Sequence, residues 1–302
     1  MSHLILTTDD LAARHLRSTS LASEVVGFDL RFVLGKLPSD GELATFLEPR
    51  SAKHDREGKH WLDHFCRMGL GRTANRTPGL LAFCDGFDSI ELWVDPGAND
   101  QLIPVWLLDV LRPHNEVTSK LSLVQVDVRV ANYHSESLEK WKLPAFRITD
   151  RHLSLASRAW HAYRGPTPQA CFDLLMQDTT MLPRLRPAII ALLEELPDSL
   201  NGLGASEQLM LEFLKYGCTD PGEALYAAWD RDVVNEREAG DLFDELAQCP
   251  KPLVFGLGEA PFDPDPHTRY RRYRNAKVAL TRLGQEVVEA EDDFCRHNPI
   301  RR

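Results

Sequence analysis

Along the first part of the chain, short apolar runs alternate with stretches whose apolar residues recur every three or four positions. Leu4-Ile5-Leu6-Thr7-Thr8 reads as a short buried strand. It runs into Asp9–Leu16, where helical spacing begins and Thr8 or Asp9 can cap the first turn. Val25–Phe28, Ile90–Val94 and Leu121–Val128 are further strand candidates. Between them, Ser39 and Glu42 have capping-box spacing ahead of Leu43, Phe46 and Leu47. A helix is expected around Trp61, Leu62 and Phe65, and another from about Asn99 to Leu111, after the turn Asp95-Pro96-Gly97. Such alternation predicts an α/β domain over residues 1–135, with an open, mostly parallel sheet.

The pattern then becomes purely helical over residues 150–200, which predicts a helical connector. Leu153, Ala156, Trp160 and Tyr163 share one face. Thr167-Pro168 begins a second helix with proline at its first position, and Ile189, Leu192, Leu193 and Leu196 form a third stripe. Residues 203–302 have a different grammar. Ser206 can cap a helix bearing Leu209, Met210, Phe213 and Leu214. Asp220-Pro221 opens one with Leu225 and Trp229, and Asn235 with Glu238 opens one that buries Ala239, Leu242, Phe243 and Leu246. Strand candidates Leu253–Phe255 and Lys277–Leu280 follow, and Thr281 opens a final helix. Three helices, a two-stranded ribbon and a helix make the expected third part a winged-helix-like α+β domain.

Composition bounds the function classes. The 302 residues are 43% apolar and 26% charged, as in a globular protein. No stretch approaches the ~20 apolar residues of a membrane span, so no membrane partner is expected. The net charge of −10 argues against coating nucleic acid or anionic lipid by bulk attraction. That charge is uneven: residues 201–265 carry 4 basic and 14 acidic groups, while residues 266–302 carry 9 and 5. The expected recognition helix therefore presents Glu236, Asp241, Asp244 and Glu245, which repel phosphate. A nucleic-acid role is left only with the basic, aromatic-interleaved stretch His267–Lys277, through Arg269, Arg271, Arg272, Arg274 and Lys277. The same stretch can equally pair with the acidic helix.

Six scattered cysteines, with no C-x-x-C pair, are expected to be reduced thiols. The opening Met1-Ser-His-Leu lacks a secretory pattern, and with the cysteines this predicts a cytoplasmic protein. His60 and His64 stand at i, i+4 near Asp63 and Cys66, but H-E-x-x-H is absent and no metal is expected. Phosphate-loop, dinucleotide and nucleophile-elbow motifs are also missing, so no cofactor is named.

Ligands of open α/β sheets bind beyond the carboxyl ends of the strands. The residues expected there are Thr8, Asp9, Asp10, Asp29, Trp93, Asp100 and Gln101. Carboxylates at helix N-termini are stabilised as anions and suit a ribose hydroxyl, an amine or Mg²⁺; as plain caps they look the same. The leading reading is a small-polar-ligand-binding or regulatory protein whose winged-helix-like module contacts a protein partner or a second copy. A hydrolase or transferase acting on a nucleotide-like substrate, with Asp9 or Asp29 as base or metal ligand, is the alternative from a different class. A nucleic-acid binder using the basic wing is the third.

Three stretches resemble one bacterial family. Glu91-Leu-Trp-Val-Asp95 with Asn99-Asp-Gln-Leu102 is the first. Arg158–Arg164, Leu182-Pro183, Leu196-Pro197, Asn201-Gly-Leu203 and Glu207 make the second. Gly240-Asp241, Leu280–Gly284, Asp293 and Asn298 make the third. In that order they resemble the uncharacterised proteins that pair domain of unknown function 1835 with domain of unknown function 3658. The resemblance implies a two-part architecture and a cytoplasmic bacterial setting, and no activity. The family's Gly-Asp-Ser-like segment after the first strand is Thr8-Asp9-Asp10 here.

Overall fold

The computed structural model describes residues 2–51, 54, 60–61, 78–141, 143–257 and 273–298. The chain divides into two compact units, Met1–Phe32 with Lys36–Pro187, and Val33–Gly35 with Ala188–Arg302.

In the first unit, β1 (His3–Thr7), α1 (Asp10–Arg17) and β2 (Glu24–Gly27) make one crossover. After α2 (Asp40–Leu47) and α3 (Leu80–Asp85), a second crossover is made by β3 (Ser89–Val94), α4 (Ala98–Leu111), the short α5 (Asn115–Thr118) and β4 (Leu121–Gln125). The four strands pair in parallel. Following α6 (Ser135–Lys140), β5 (Phe146–Arg147) adds an antiparallel edge, in the order β2-β1-β3-β4-β5. The mostly parallel α/β reading therefore holds, whereas β5 had no signal in the apolar pattern because both its residues are exposed.

Register explains how each face is used. Ile5 lies beside Val25, and Thr7 beside Trp93, which lies beside Val124. On the other face Leu6 is flanked by Val26 and Leu92. Ala12, Ala13 and Leu16 of α1 pack on Ile5, Val25, Trp93 and Val124. Because β2 and β4 extend the sheet in opposite directions, right-handed crossovers place α1 and α4 on opposite faces. α4 is apolar nearly all round and buried along almost its whole length. It is covered by the sheet on one side and by α7 (Asp150–Tyr163) on the other. Its Trp106 stands edge-on to Phe28, Phe32 and Phe46, with ring centroids 6.2, 6.0 and 6.2 Å away.

The stretch expected as a connector contributes to both units. α7 and α8 (Gln169–Leu175) belong to the first, and the division falls within α9 (Leu185–Glu194). Pro168 precedes α8 as its N-cap rather than opening it, and Leu196 lies beyond α9 and is exposed.

The second unit orders α10 (Ala205–Lys215), α11 (Pro221–Trp229) and α12 (Glu236–Gln248) before β6 (Val254–Phe255) and β7 (Ala279–Leu280). α13 (Arg282–Val288) and α14 (Phe294–His297) follow. β6 and β7 form an antiparallel ribbon. Asp220, Asn235 and Thr281 cap their helices as their spacing predicts. Ser206 does not: Gly204 is the N-cap, and the fully buried Ser206 hydroxyl donates to Glu195 at 2.8 Å. Gly256, at φ +95°, is required because a Cβ there would sit 2.0 Å from the Lys277 carbonyl.

Gly27 sets the approach of α1 to the sheet, since an added Cβ would lie 2.7 Å from the Ala13 Cβ. Gly27→Ala is expected to cost about 1–3 kcal/mol in urea denaturation through overpacking. Gly41→Ala on α2, which meets nothing within 4 Å, should be neutral or stabilising by up to ~1 kcal/mol.

Candidate functional site

The strand order reverses between β1 and β3, and in open α/β sheets such a switch point, at the carboxyl ends of the strands, is where a ligand crevice forms. The floor of this region is the first turn of α4, where Asn99, Asp100 and Gln101 are all buried in an otherwise apolar helix. Buried polar groups need partners, and these three find them at the ends of all four parallel strands. Beyond β2, the Asn99 side chain accepts from the Phe32 amide (2.9 Å) and donates to the Leu30 carbonyl (2.8 Å). Asp100 is hydrogen-bonded to Thr8, beyond β1. Gln101 donates to the Asp95 carbonyl beyond β3 (2.7 Å) and accepts from Gln125 on β4 (3.0 Å). Asp95 accepts from the Val130 amide at 2.9 Å, which fixes the chain after β4.

Asp100 is 5% exposed. Its pKa is pushed up to about 8, first by burial and then by the neighbouring Asp95 carboxylate, against the opposing pull of Arg129 and Thr8. At neutral pH it is chiefly the protonated acid, able to donate as well as accept. A buried carboxyl titrating near neutrality in a strand-end crevice is the kind of group found at functional sites.

The other face of the crevice begins at the turn from β1 into α1. Asp9 caps α1, accepting from the Ala12 amide at 2.9 Å. Thr7 Oγ1 and Asp10 Oδ1 are buried there with no hydrogen-bond partner among the described residues. Asp29 is exposed beyond β2. Thus Thr8, Asp100 and Gln101 are brought together as an internal network, while Asp9 and Asp10 line the adjoining turn. Trp93 lies apart: it is 4% exposed under α1, and its Nε1 donates to Glu91 at 2.7 Å. Asn99, Gln125 and the Val130 amide were not singled out from the sequence. The one signal is for Asn99, which begins a run of three polar residues at the start of an apolar helix; Gln125 and the Val130 amide had none.

The remaining candidates are dispersed. Arg274 and Lys277 are exposed in the second unit. Tyr273, from the same basic stretch, is instead buried in that unit's core and hydrogen-bonded to Asp244 of α12, its pKa raised by burial and then by Asp244. Arg269, Arg271 and Arg272 lie outside the described residues, as do His64, Cys66 and the helix expected past Trp61. His60 Nε2 is 2.9 Å from the Glu48 carbonyl, and burial lowers its pKa to about 4.

The chain matches no model of a known protein family, and no curated protein matches it. Among the described residues, no group of three His, Cys, Asp or Glu side chains is placed to hold a metal ion. No helix among them is long and apolar enough to cross a membrane.

Asp100 gives a signed pH dependence. The folded chain holds its proton up to about pH 8, and the unfolded chain releases it near pH 4. This contribution to stability is complete below about pH 4, falls as pH rises by up to about 1.4 kcal/mol per unit, and levels off above the folded value. Asp100→Asn, which mimics the protonated acid, should remove that slope from urea denaturation measured between pH 5 and 8. Equal slopes in the two proteins would contradict the assignment.

Proposed function

We propose that the first unit binds a small polar ligand in the crevice beyond β1 and β3, and that the protein is regulatory rather than a bulk nucleic-acid binder. The observation that carries this reading is the gathering of Asp9, Asp10 and the exposed Asp29 beside the point where the strand order reverses. Carboxylates at this position suit a ligand hydroxyl or amine, or Mg²⁺. Asp9 and the exposed Asp29 are the flanking carboxylates, which favour a hydroxyl or a cationic group over an anion. The order of helices and ribbon in the second unit supports reading it as a winged-helix-like module that contacts a partner. The stretches that resemble the two-domain bacterial family imply such a division.

A second reading, a hydrolase or transferase for a nucleotide-like substrate, is favoured by one feature, the near-neutral titration of Asp100. In it Asp9 or Asp29 acts as base or metal ligand.

A thermal-shift screen with nucleosides, nucleotides with and without Mg²⁺, amino acids and polyamines tests both. At about 100 times its Kd, a ligand adds ~2.7 kcal/mol, a rise of several degrees in Tm. That rise, measured against each variant's own unliganded Tm, should be lost in Asp29→Ala and reduced in Asp9→Ala. A panel with no active member, or equal shifts in the variants, would remove the crevice as a binding site. Turnover of a panel nucleotide that disappears in Asp9→Ala would select the enzyme.

A further inference from the structure

The second unit carries a groove of about 470 Å³ in which α10, α11 and the start of α12 take part. Its walls include Phe213, Tyr226 and Trp229, which remain 40%, 59% and 42% exposed. The core cluster uses a different face of α11, through Ala224, Leu225 and Ala228, so these rings are not there to fill the interior. Tyr226 and Trp229, three residues apart on α11, stand edge to face with centroids 5.8 Å apart. Beside them lie Glu223, one turn earlier on α11, and Glu236, at the start of α12. Asp220 adds a third carboxylate, which accepts from the Gly222 amide at 2.8 Å, while Glu223 accepts from the Cys218 thiol at 3.3 Å. Arg274 also lines the groove, and among the described residues three acids and one guanidinium line it.

Exposed ring faces flanked by carboxylates attract cations, and the same carboxylates repel phosphate. Pockets for small molecules bury about 70–90% of their ligand. Walls whose rings are left about half exposed suit an extended segment that runs along them. We propose that this groove docks a basic, arginine-bearing peptide segment of a partner protein, with its guanidinium groups over Tyr226 and Trp229 and paired with Glu223 and Glu236. The proposal rests on the reading of the second unit as an interaction module, and it names the surface and the partner's chemistry.

Fluorescence anisotropy of a labelled peptide of alternating arginine and glycine, titrated with the full chain, tests it. Trp229→Ala and Tyr226→Ala leave the net charge unchanged, so bulk attraction predicts no effect, whereas docking in the groove predicts about tenfold weaker binding for each. Glu223→Gln should weaken binding and reduce its salt dependence. Arg274→Ala, which removes the groove's own cation, should tighten it several-fold. Circular dichroism separates these effects from unfolding, and Glu223→Gln gives a second route should an aromatic variant fail to fold. Unchanged binding by both aromatic variants would overturn the groove while leaving the module reading in place. Tighter binding of an acidic peptide of equal length, or of single-stranded RNA, would overturn the cationic assignment. Displacement of the peptide by micromolar tetramethylammonium would make the groove a small-cation pocket and also overturn it. Failure of every peptide to bind would overturn both the proposal and the module reading.

Discussion

Three adjacent polar side chains at the start of a buried helix hold the first unit together. α4 is covered on both sides, so Asn99, Asp100 and Gln101 have no access to bulk water. An unmet amide or carboxyl there would cost more than a typical hydrogen bond returns. Their partners are the loops after β2, β1 and β3, together with a side chain on β4. One helical turn thus fixes the ends of all four parallel strands. It also explains the acid at its centre: with the other bonds in place, keeping Asp100 protonated costs less than ionising it beside Asp95.

The same arrangement divides the strand-end residues into two kinds. Thr8, Asp100 and Gln101 form the floor: Thr8 and Asp100 bond each other, and Gln101 bonds Asp95 and Gln125. The β1–α1 turn, with Thr7, Asp9 and Asp10, is where polar capacity is left over. In the proposed function, ligand chemistry falls to the second group, and the first positions it.

In the second unit the helices are amphipathic and capped by their own side chains, so their inner faces pack into one core around Phe243 and Tyr273. What distinguishes this unit is its outer surface. Tyr273 of the basic stretch turns inward to Asp244, and Arg274 lies in the groove beside acids. The basic stretch and the acidic helix are therefore partners in part, and the described residues of the groove beside them are mostly acidic and aromatic.

Much of this was legible in the sequence, because the relevant physics is short-range. The apolar runs of β1 to β4, the caps at Asp9, Ser39, Asn235 and Thr281, and the α/β alternation follow from periodicity and from side chains that bond amides two or three residues ahead. The uneven charge along the chain was equally plain. Local pattern was insufficient wherever a distant group competed. Glu195 takes the Ser206 hydroxyl from its capping role. β5 is a strand only because β4 lies beside it. Trp93 and Thr8 both sit near strand ends, yet two-residue alternation in register sends one under α1 and the other toward α4. The sequence alone determined which segments become strands and helices, and where polar residues gather. The handedness of the crossovers and the burial of α4 decided which of those residues became floor and which were left with unmet bonds, because faces and partners exist only once distant strands are paired.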